Sequence, residues 1–304
     1  MCFLECSISL GVSQGRRGDW RWESGSGSGV LGSETYHVGM TNIHSTAVVS
    51  EEVELGEGVE IGPFCMVTGK VKLGDGVKLL SRVSIQGPVE IGARTVVYPN
   101  ASVGFEPQDY KFAPGSPTAG VVVGEDSILR ESVTVHSASN DHTPTRIGNR
   151  VMMMVYSHAG HDATVGDDVI MVNATHLAGH SVVEDRVILA AGSMIHQFGR
   201  VGRQAMTSGC TVLTGDLPPF CLAVGRNSVV GLNLVGMRRS GMSGDEINAV
   251  RYAFKTVLRK NPPMPVMKQM LAELGSRSAA VQLIADFIEH AKRPIVPVGG
   301  RRVS

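Results

Sequence analysis

An aliphatic residue recurs every six positions along most of this chain, and that period constrains the fold more than any other feature. Between residues 43 and 103 it is unbroken: Ile43, Val49, Leu55, Ile61, Val67, Leu73, Leu79, Ile85, Ile91, Val97 and Val103. It resumes at residue 123, is interrupted again near residues 137–146, and then continues to Leu213. A helix needs a period of about 3.6 and an ordinary strand a period of about 2, so neither explains the pattern. A repeat structure does, with one short strand and one corner in each hexad.

Three hexads would form one triangular coil whose aliphatic side chains stack inward, so that each coil buries its apolar face only against its neighbours. The composition agrees, since 37 of 304 residues are glycine and only 5% are aromatic, whereas glycine averages about 7%. Glycine is expected at the corners, where positive φ strains residues with a Cβ. Aromatic rings are too large for so narrow a prism. The pattern resembles the hexapeptide repeat of left-handed parallel β-helices, and that resemblance alone implies the handedness.

Composition also excludes several classes of protein. The 28 basic and 28 acidic side chains cancel, which argues against a nucleic-acid binder that neutralises phosphates. No apolar run approaches the roughly 18 residues of a membrane span. The five cysteines form no CxxC pair, so we expect free thiols in a reducing, cytoplasmic compartment rather than disulfides or a zinc knuckle.

The pattern divides the chain into three segments. Residues 1–39 lack apolar periodicity and contain a Ser/Gly run at 24–29, so we expect a disordered or dispensable extension that ends where Met40 begins the patterned sequence. Residues 40–219 are expected to form the β-helix. Residues 220–304 are expected to form a helical domain.

The last segment carries three helical stripes. The first begins with a predicted capping box, in which Ser243 is the N-cap and Glu246 the third helical residue. Apolar spacing predicts helices near residues 247–258, 267–274 and 281–288.

Seven of the ten histidines lie between residues 136 and 196. His158 and His176 are 18 positions apart, as are Asp162 and His180, so each pair should occupy the same point on successive coils. Since aliphatic residues already fill the inward ladders, a row of imidazoles on one edge indicates chemistry. Either His161 acts as a general base oriented by Asp162, or three histidines hold zinc, as in the trimeric hexapeptide-repeat carbonic anhydrases. Spacing leaves both open, and a non-catalytic scaffold is a third reading.

A family resemblance decides between them. Residues 158–166 read HAGHDATVG, which is similar to the signature of the acyl-[acyl-carrier-protein]–UDP-N-acetylglucosamine O-acyltransferases, the enzymes that begin lipid A synthesis. Further blocks match at residues 61–64, 130–136, 177–180, 196–198, 216–220, 231–233 and 236–239. The resemblance covers residues 41 to 288 and separates this family from carbonic anhydrases.

The resemblance implies a mechanism. His161 would take the proton from the glucosamine 3-hydroxyl, Asp162 would orient His161, and the N–H of Gly179 would stabilise the oxyanion. The acyl donor would be a thioester on acyl carrier protein, with no metal and no other cofactor. The family's active unit is a homotrimer, so a neighbouring subunit would share the site.

Ten further positions match substrate-binding residues of the family: Asp109, Lys111, His136, His158, His180, His196, Gln197, Gly209, Asn233 and Arg239. Asp109 and Lys111 would contact the sugar from a loop, and His158, His180, His196 and Gln197 would line the site. Asn233 and Arg239 would contact the nucleotide and phosphates. Gly209 would leave room for a long acyl chain.

The chain departs from the family pattern at several positions. Tyr156 and Ser157 replace the usual Asn-Ala before the first histidine, Val235 replaces an acidic residue, and Ser240 replaces an arginine. His176 is an additional imidazole. The predicted general base is unaffected by these changes.

Overall fold

The structure is a computed structural model that describes residues 41–299. The predicted extension, residues 1–39, lies outside the described residues. Within them the strands, numbered in chain order, form three sheets on the three faces of a prism. Along most of the prism each strand pairs in parallel with the strand one coil later, as Val97 does with Leu129. The predicted parallel β-helix is therefore confirmed.

The strands have the following bounds. Sheet A contains β1 (Asn42–Ile43), β4 (Glu60–Ile61), β7 (Lys78–Leu79), β10 (Val96–Val97), β13 (Ile128–Leu129), β16 (Met152–Met153), β19 (Ile170–Met171), β22 (Ile188–Leu189), β25 (Met206–Thr207), β27 (Cys221–Val224) and β28 (Ser228–Leu232). Sheet B contains β2 (Val48–Val49), β5 (Met66–Thr68), β8 (Ser84–Gln86), β11 (Ser102–Phe105), β14 (Thr134–His136), β17 (His158–Ala159), β20 (His176–Leu177), β23 (Met194–Ile195) and β26 (Val212–Leu213). Sheet C contains β3 (Glu54–Leu55), β6 (Val71–Leu73), β9 (Val89–Ile91), β12 (Val121–Val123), β15 (Thr145–Ile147), β18 (Thr164–Val165), β21 (Val182–Val183) and β24 (Arg200–Val201).

The six-residue ladder forms the core of the prism. Ile85, Val97 and Val103 are fully buried, and Ile91 is almost so. Ile43 lies on the first described coil, which has no coil beneath it among these residues, and it is 43% exposed. Each coil thus depends on its neighbours for burial, as the period predicts.

The expected role of glycine is wrong. Most corner residues with positive φ are not glycine, as Asp162 (60°), His180 (59°) and Phe198 (62°) illustrate. Glycine recurs instead directly after the ladder residue, where coils approach closely, and a Cβ at Gly62 would overlap the carbonyl oxygen of Leu80. Close backbone approach between coils therefore accounts for many of the glycines.

Two insertions leave the prism at one edge, where sheet B turns into sheet C. We call this the B–C edge. The first insertion, residues 106–120, joins β11 to β12, and the second, residues 137–144, joins β14 to β15. Both coincide with the predicted breaks in the period.

The sheets extend beyond residue 219. Strand β27 pairs in parallel with β25, and β28 then pairs antiparallel with β27. The helices are α1 (Leu234–Arg239), α2 (Gly244–Thr256), α3 (Met264–Gly275) and α4 (Ala279–Glu289), with a 3-10 turn at Leu258–Lys260. The three predicted helices are confirmed as α2, α3 and α4. Within residues 41–299, no helix is both long and apolar enough to cross a membrane.

Only half of the predicted capping box forms. Ser243 caps α2, since its Oγ accepts a hydrogen bond from the N–H of Glu246 at 3.2 Å. The Glu246 carboxylate does not return to residue 243. It reaches the start of α4, where it accepts hydrogen bonds from Ser278 Oγ at 2.5 Å and the N–H of Ala280 at 3.0 Å. A side chain that was expected to cap its own helix thus links α2 to α4.

Candidate active site

A row of imidazoles runs up the outer face of sheet B. Strand pairing places His158 directly beside His176, which confirms the alignment predicted from their spacing. The ring centroids of His136 and His158 are 5.5 Å apart, and those of His158 and His176 are 6.1 Å apart. Burial, aided by the neighbouring histidines 136, 176 and 161, lowers the pKa of His158 to about 4. His158 is therefore a neutral ring at neutral pH, and its Nδ1 lies 2.8 Å from Thr134 Oγ1.

His161 and Asp162 occupy the corner between β17 and β18, on the B–C edge. His161 Nδ1 lies 2.7 Å from Asp162 Oδ2, and the two side chains are 14% and 7% exposed. An ionised carboxylate only accepts hydrogen bonds, which assigns the ring proton to Nδ1 and leaves Nε2 free to accept one. The predicted base and its orienting carboxylate are thus in contact, in the tautomer that general-base chemistry needs.

The Asp162 carboxylate is held by two residues that sequence reasoning missed. Ser139 Oγ and Asn140 Nδ2 each donate to it at 2.7 Å. Burial alone would raise the pKa of Asp162, but hydrogen bonds from His161 and Ser139 and the nearby His180 outweigh burial and lower it below its ordinary value. The sequence feature that could have pointed to Ser139 and Asn140 was the interruption of the six-residue period after residue 136, at the corner one coil below His161.

Gly179 lies one coil above His161. A Cβ at residue 179 would lie 2.5 Å from His161 Nε2, so only glycine leaves space for the ring. The N–H groups on either side donate to backbone carbonyls, that of Ala178 to Ile195 and that of His180 to His161. The Gly179 N–H has no acceptor within residues 41–299, which leaves a free hydrogen-bond donor beside the His161 ring.

His180 connects this corner to the next coil. Its ring lies edge-on to that of His161, with the centroids 5.1 Å apart, and its Nε2 is 3.5 Å from Asp162 Oδ2. On its other side it stacks on Phe198, at 4.6 Å and an interplanar angle of 10°. Phe198 is a third residue that sequence reasoning missed, although it belongs to a block on which the resemblance rests.

The remaining candidates near this edge belong to neighbouring coils. His196 and Gln197 are exposed on the coil of Phe198, and His196 Nδ1 lies 3.0 Å from the Gln197 carbonyl oxygen. Asp109 and Lys111 lie on the first insertion, where the N–H of Lys111 donates to Asp109 Oδ1 at 3.0 Å. The B–C edge thus collects His161, Asp162, Gly179, His180, His196 and Gln197, and the insertion that carries Asp109 and Lys111 leaves the prism at the same edge.

Three predicted binding residues lie elsewhere. Gly209 is an exposed corner between sheets A and B, where a Cβ would meet only the Ala191 carbonyl oxygen, at 3.6 Å. Asn233 and Arg239 line a cleft of about 430 Å³ on sheet A, together with Arg186 and Ser240. Within one chain, the face that bears this cleft is opposite the B–C edge.

Asn233 also has a structural role in that cleft. It is 8% exposed and caps α1, because its Oδ1 accepts a hydrogen bond from the N–H of Gly236 at 2.9 Å. Its Nδ2 donates to the Gln204 carbonyl oxygen at 2.9 Å. Both ends of the amide are therefore used to attach α1 to the last coils.

Within the described residues of one chain, three histidines do not converge as they would in a three-histidine zinc site. In the described part of the chain, the one group of three potential ligands within 4.8 Å of one another is His161, Asp162 and His180. Both Asp162 oxygens already accept hydrogen bonds from Ser139 and Asn140. The donor set therefore fits a hydrogen-bonded dyad better than a metal site.

Comparison with known proteins identifies the family. A family described as UDP N-acetylglucosamine O-acyltransferase, domain 2, matches residues 216–296. An acyl-[acyl-carrier-protein]–UDP-N-acetylglucosamine O-acyltransferase of Herminiimonas arsenicoxydans is 41% identical over 263 residues, covering 84% of this chain and 100% of that protein.

Solved structures give the same result. A UDP-N-acetylglucosamine acyltransferase of Francisella novicida has a TM-score of 0.82 and 30% identity, over 85% of this chain and 95% of that one. One from Campylobacter jejuni has a TM-score of 0.78 and 35% identity, over 84% and 99%. The fold and site thus define a hexapeptide-repeat O-acyltransferase with a left-handed β-helix. More particularly, the chain belongs to the acyl-[acyl-carrier-protein]–UDP-N-acetylglucosamine O-acyltransferase family.

Proposed function

We propose that this enzyme transfers a 3-hydroxyacyl group from acyl carrier protein to the 3-hydroxyl of UDP-N-acetylglucosamine, the first step of lipid A synthesis. The names of its relatives supply the two substrates. The observation that carries the proposal is the dyad: Asp162 holds His161 Nδ1 at 2.7 Å, and Nε2 faces Gly179. A base and an oxyanion donor thus lie side by side.

The geometry supports the following steps. His161 Nε2 takes the proton from the sugar 3-hydroxyl while that oxygen forms a bond to the thioester carbonyl carbon. The negative charge that develops on the carbonyl oxygen is stabilised by the Gly179 N–H. Collapse of the intermediate breaks the C–S bond, and the imidazolium returns its proton to the departing thiolate sulfur. Asp162 stabilises the imidazolium meanwhile, and its lowered pKa keeps it ionised.

The reaction needs no metal and no cofactor, because the acyl group arrives already activated as a thioester. His158, neutral and half-buried, is suited to hydrogen-bond an uncharged hydroxyl or amide of the sugar. We propose a cytoplasmic location, where the free thiols of Cys65, Cys210 and Cys221 would stay reduced.

We place the complete site between two subunits of a homotrimer. The dyad lies on the B–C edge, whereas Asn233 and Arg239 line a cleft on the opposite face. One chain cannot bring these groups onto one sugar nucleotide, but a neighbouring copy that presents its sheet A to the B–C edge can. Mixing inactive His161→Ala and Arg239→Ala subunits should then restore part of the activity, and light scattering should give the mass of three chains. No recovery in a verified mixed trimer would contradict a shared site.

The decisive assay follows the mass of the acylated sugar nucleotide formed from 3-hydroxyacyl carrier protein and UDP-N-acetylglucosamine. His161→Ala should lower kcat by about 100-fold or more, the usual range for a lost general base. His142→Ala is the control, because that side chain is 77% exposed on the second insertion. Full activity of the His161 variant, or stoichiometric zinc that activity requires, would overturn the proposal.

A further inference from the structure

We infer that Ser139 and Asn140 are positioning residues for the dyad: they hold the Asp162 carboxylate so that Oδ2 faces His161 Nδ1. Neither residue touches the position of a substrate at Nε2. Both lie on the second insertion, which grows from the coil beneath His161. The inference rests on the proposed function, in which His161 is the base.

The contacts fix both carboxylate oxygens. Ser139 Oγ donates to Oδ2 at 2.7 Å, and the backbone N–H of Ser139 lies 3.1 Å from Oδ1. Asn140 Nδ2 donates to Oδ1 at 2.7 Å. Rotation of the carboxylate away from His161 would break these hydrogen bonds. Because the Asp162 side chain is only 7% exposed, water could not readily replace them.

The Asn140 amide has one orientation. Its Oδ1 accepts hydrogen bonds from the N–H of His142 at 3.0 Å and of Thr143 at 2.7 Å. This assigns Nδ2 as the atom that donates to Asp162 Oδ1 at 2.7 Å, and the same Nδ2 also donates to the Thr143 carbonyl oxygen at 3.2 Å. The hydrogen bonds that form the turn at residues 140–143 therefore also fix the amide orientation that lets Asn140 donate to Asp162.

The backbone at the dyad is held by the same insertion and its neighbour. Thr145 Oγ1, just after the insertion, accepts a hydrogen bond from the N–H of Asp162 at 2.8 Å, which secures its positive φ. The carbonyl oxygen of Asn140 accepts one from the N–H of Ala119 at 2.6 Å. The second insertion therefore also contacts the first one, which carries the predicted sugar-contacting residues.

Few titratable side chains face the dyad. The titratable side chains that face the dyad are His158 on its own coil and His180 on the coil above. Asp141, between the proposed positioning residue Asn140 and His142, is 74% exposed and lies 3.2 Å from His142 rather than near the dyad. It provides a matched control on the same loop.

Asn140→Asp is the sharpest test, because it is isosteric and keeps the acceptor for the N–H groups of His142 and Thr143, losing within the loop only the hydrogen bond to the Thr143 carbonyl oxygen. It replaces a donor by a second carboxylate, which raises the pKa of Asp162. We expect kcat to fall about 10-fold or more with little change in KM, and the acid limb of kcat/KM to move to higher pH. Ser139→Ala should lower kcat by a smaller factor, Ser139→Thr should restore it, and Asp141→Asn should leave kcat and the pH profile unchanged.

A second readout needs no substrate. In carboxyl-carbon NMR, Asp162 should titrate at higher pH in Asn140→Asp than in the wild type, while the titration of Asp162 in Asp141→Asn stays unchanged. Wild-type kcat, pH profile and Asp162 titration in both Asn140→Asp and Ser139→Ala would overturn the inference. If the wild-type enzyme acylated no UDP-N-acetylglucosamine while Asn140→Asp still shifted the Asp162 titration, the proposed function would be overturned and the positioning role would remain supported.

Discussion

The imidazole of His161 lies so close to Gly179 that a Cβ on residue 179 would be 2.5 Å from Nε2 and 2.6 Å from Cε1. The ring cannot retreat freely, because its Nδ1 is bound to Asp162 on the other side. One glycine thus gives space to the imidazole of His161 and supplies the N–H beside it. In the proposed mechanism both the base and the oxyanion donor therefore depend on a residue without a side chain.

Gly179→Ala should therefore remove activity without removing any functional group. The methyl must displace the imidazole, and we expect kcat to fall by about 100-fold or more, as for loss of the base itself. The measurement is kcat together with the thermal unfolding midpoint, which should change little. Gly231→Ala is the control, since nothing lies within 4 Å of a Cβ there. Near-normal kcat in the Gly179 variant would contradict the packing argument.

His158 should make the fold less stable in acid. Its pKa is about 4 in the folded protein, against a model-compound value of 6.5. Between these values the unfolded chain binds more protons, so the free energy of unfolding falls as the pH is lowered from about 6.5 to about 4. Urea titrations at fixed protein concentration should show that His158→Gln loses about 1–3 kcal/mol of this pH dependence. His142→Gln, at an exposed ring, should retain all of it.

The repeat made most of the fold and part of the site predictable. A six-residue period determines where each side chain lies on a triangular coil, so the pairing of His158 with His176 followed from counting. The period also placed Asp162 beneath His180, whose Nε2 lies 3.5 Å from its Oδ2.

The period could not predict the contacts made by residues in the insertions that interrupt it. Ser139 and Asn140 belong to an insertion, whose path is determined by its own hydrogen bonds and not by the repeat, so nothing in the spacing pointed to Asp162. Glu246 likewise matched a local capping pattern, yet its carboxylate found better donors on another helix. Tertiary contacts decided both cases, without a local signal at Ser139 and Asn140 and against one at Glu246.

Glu246 should hold the helical region together. Its carboxylate accepts hydrogen bonds from Ser278 Oγ and the N–H of Ala280, and these bonds lower its pKa below the ordinary value. Glu246→Ala should lower the free energy of unfolding by about 1–2 kcal/mol, the usual cost of a lost cap. Asp245→Ala, on the exposed side of the same turn, should cost less. Equal losses in the two variants, measured by urea unfolding, would mean that the bridge to α4 contributes nothing.

The two roles of glycine in the coils can be separated by a pair of variants. Gly58 has a φ of +63° and nothing within 4 Å of a Cβ, whereas a Cβ at Gly62 would overlap the Leu80 carbonyl oxygen. Gly58→Ala should cost only the strain of a left-handed residue, about 1–2 kcal/mol. Gly62→Ala must push two coils apart, and we expect a loss of about 3 kcal/mol or more. Thermal and urea unfolding of both variants give the comparison. If Gly58→Ala proved the more damaging, corner conformation and not the spacing between coils would explain why the repeat is rich in glycine.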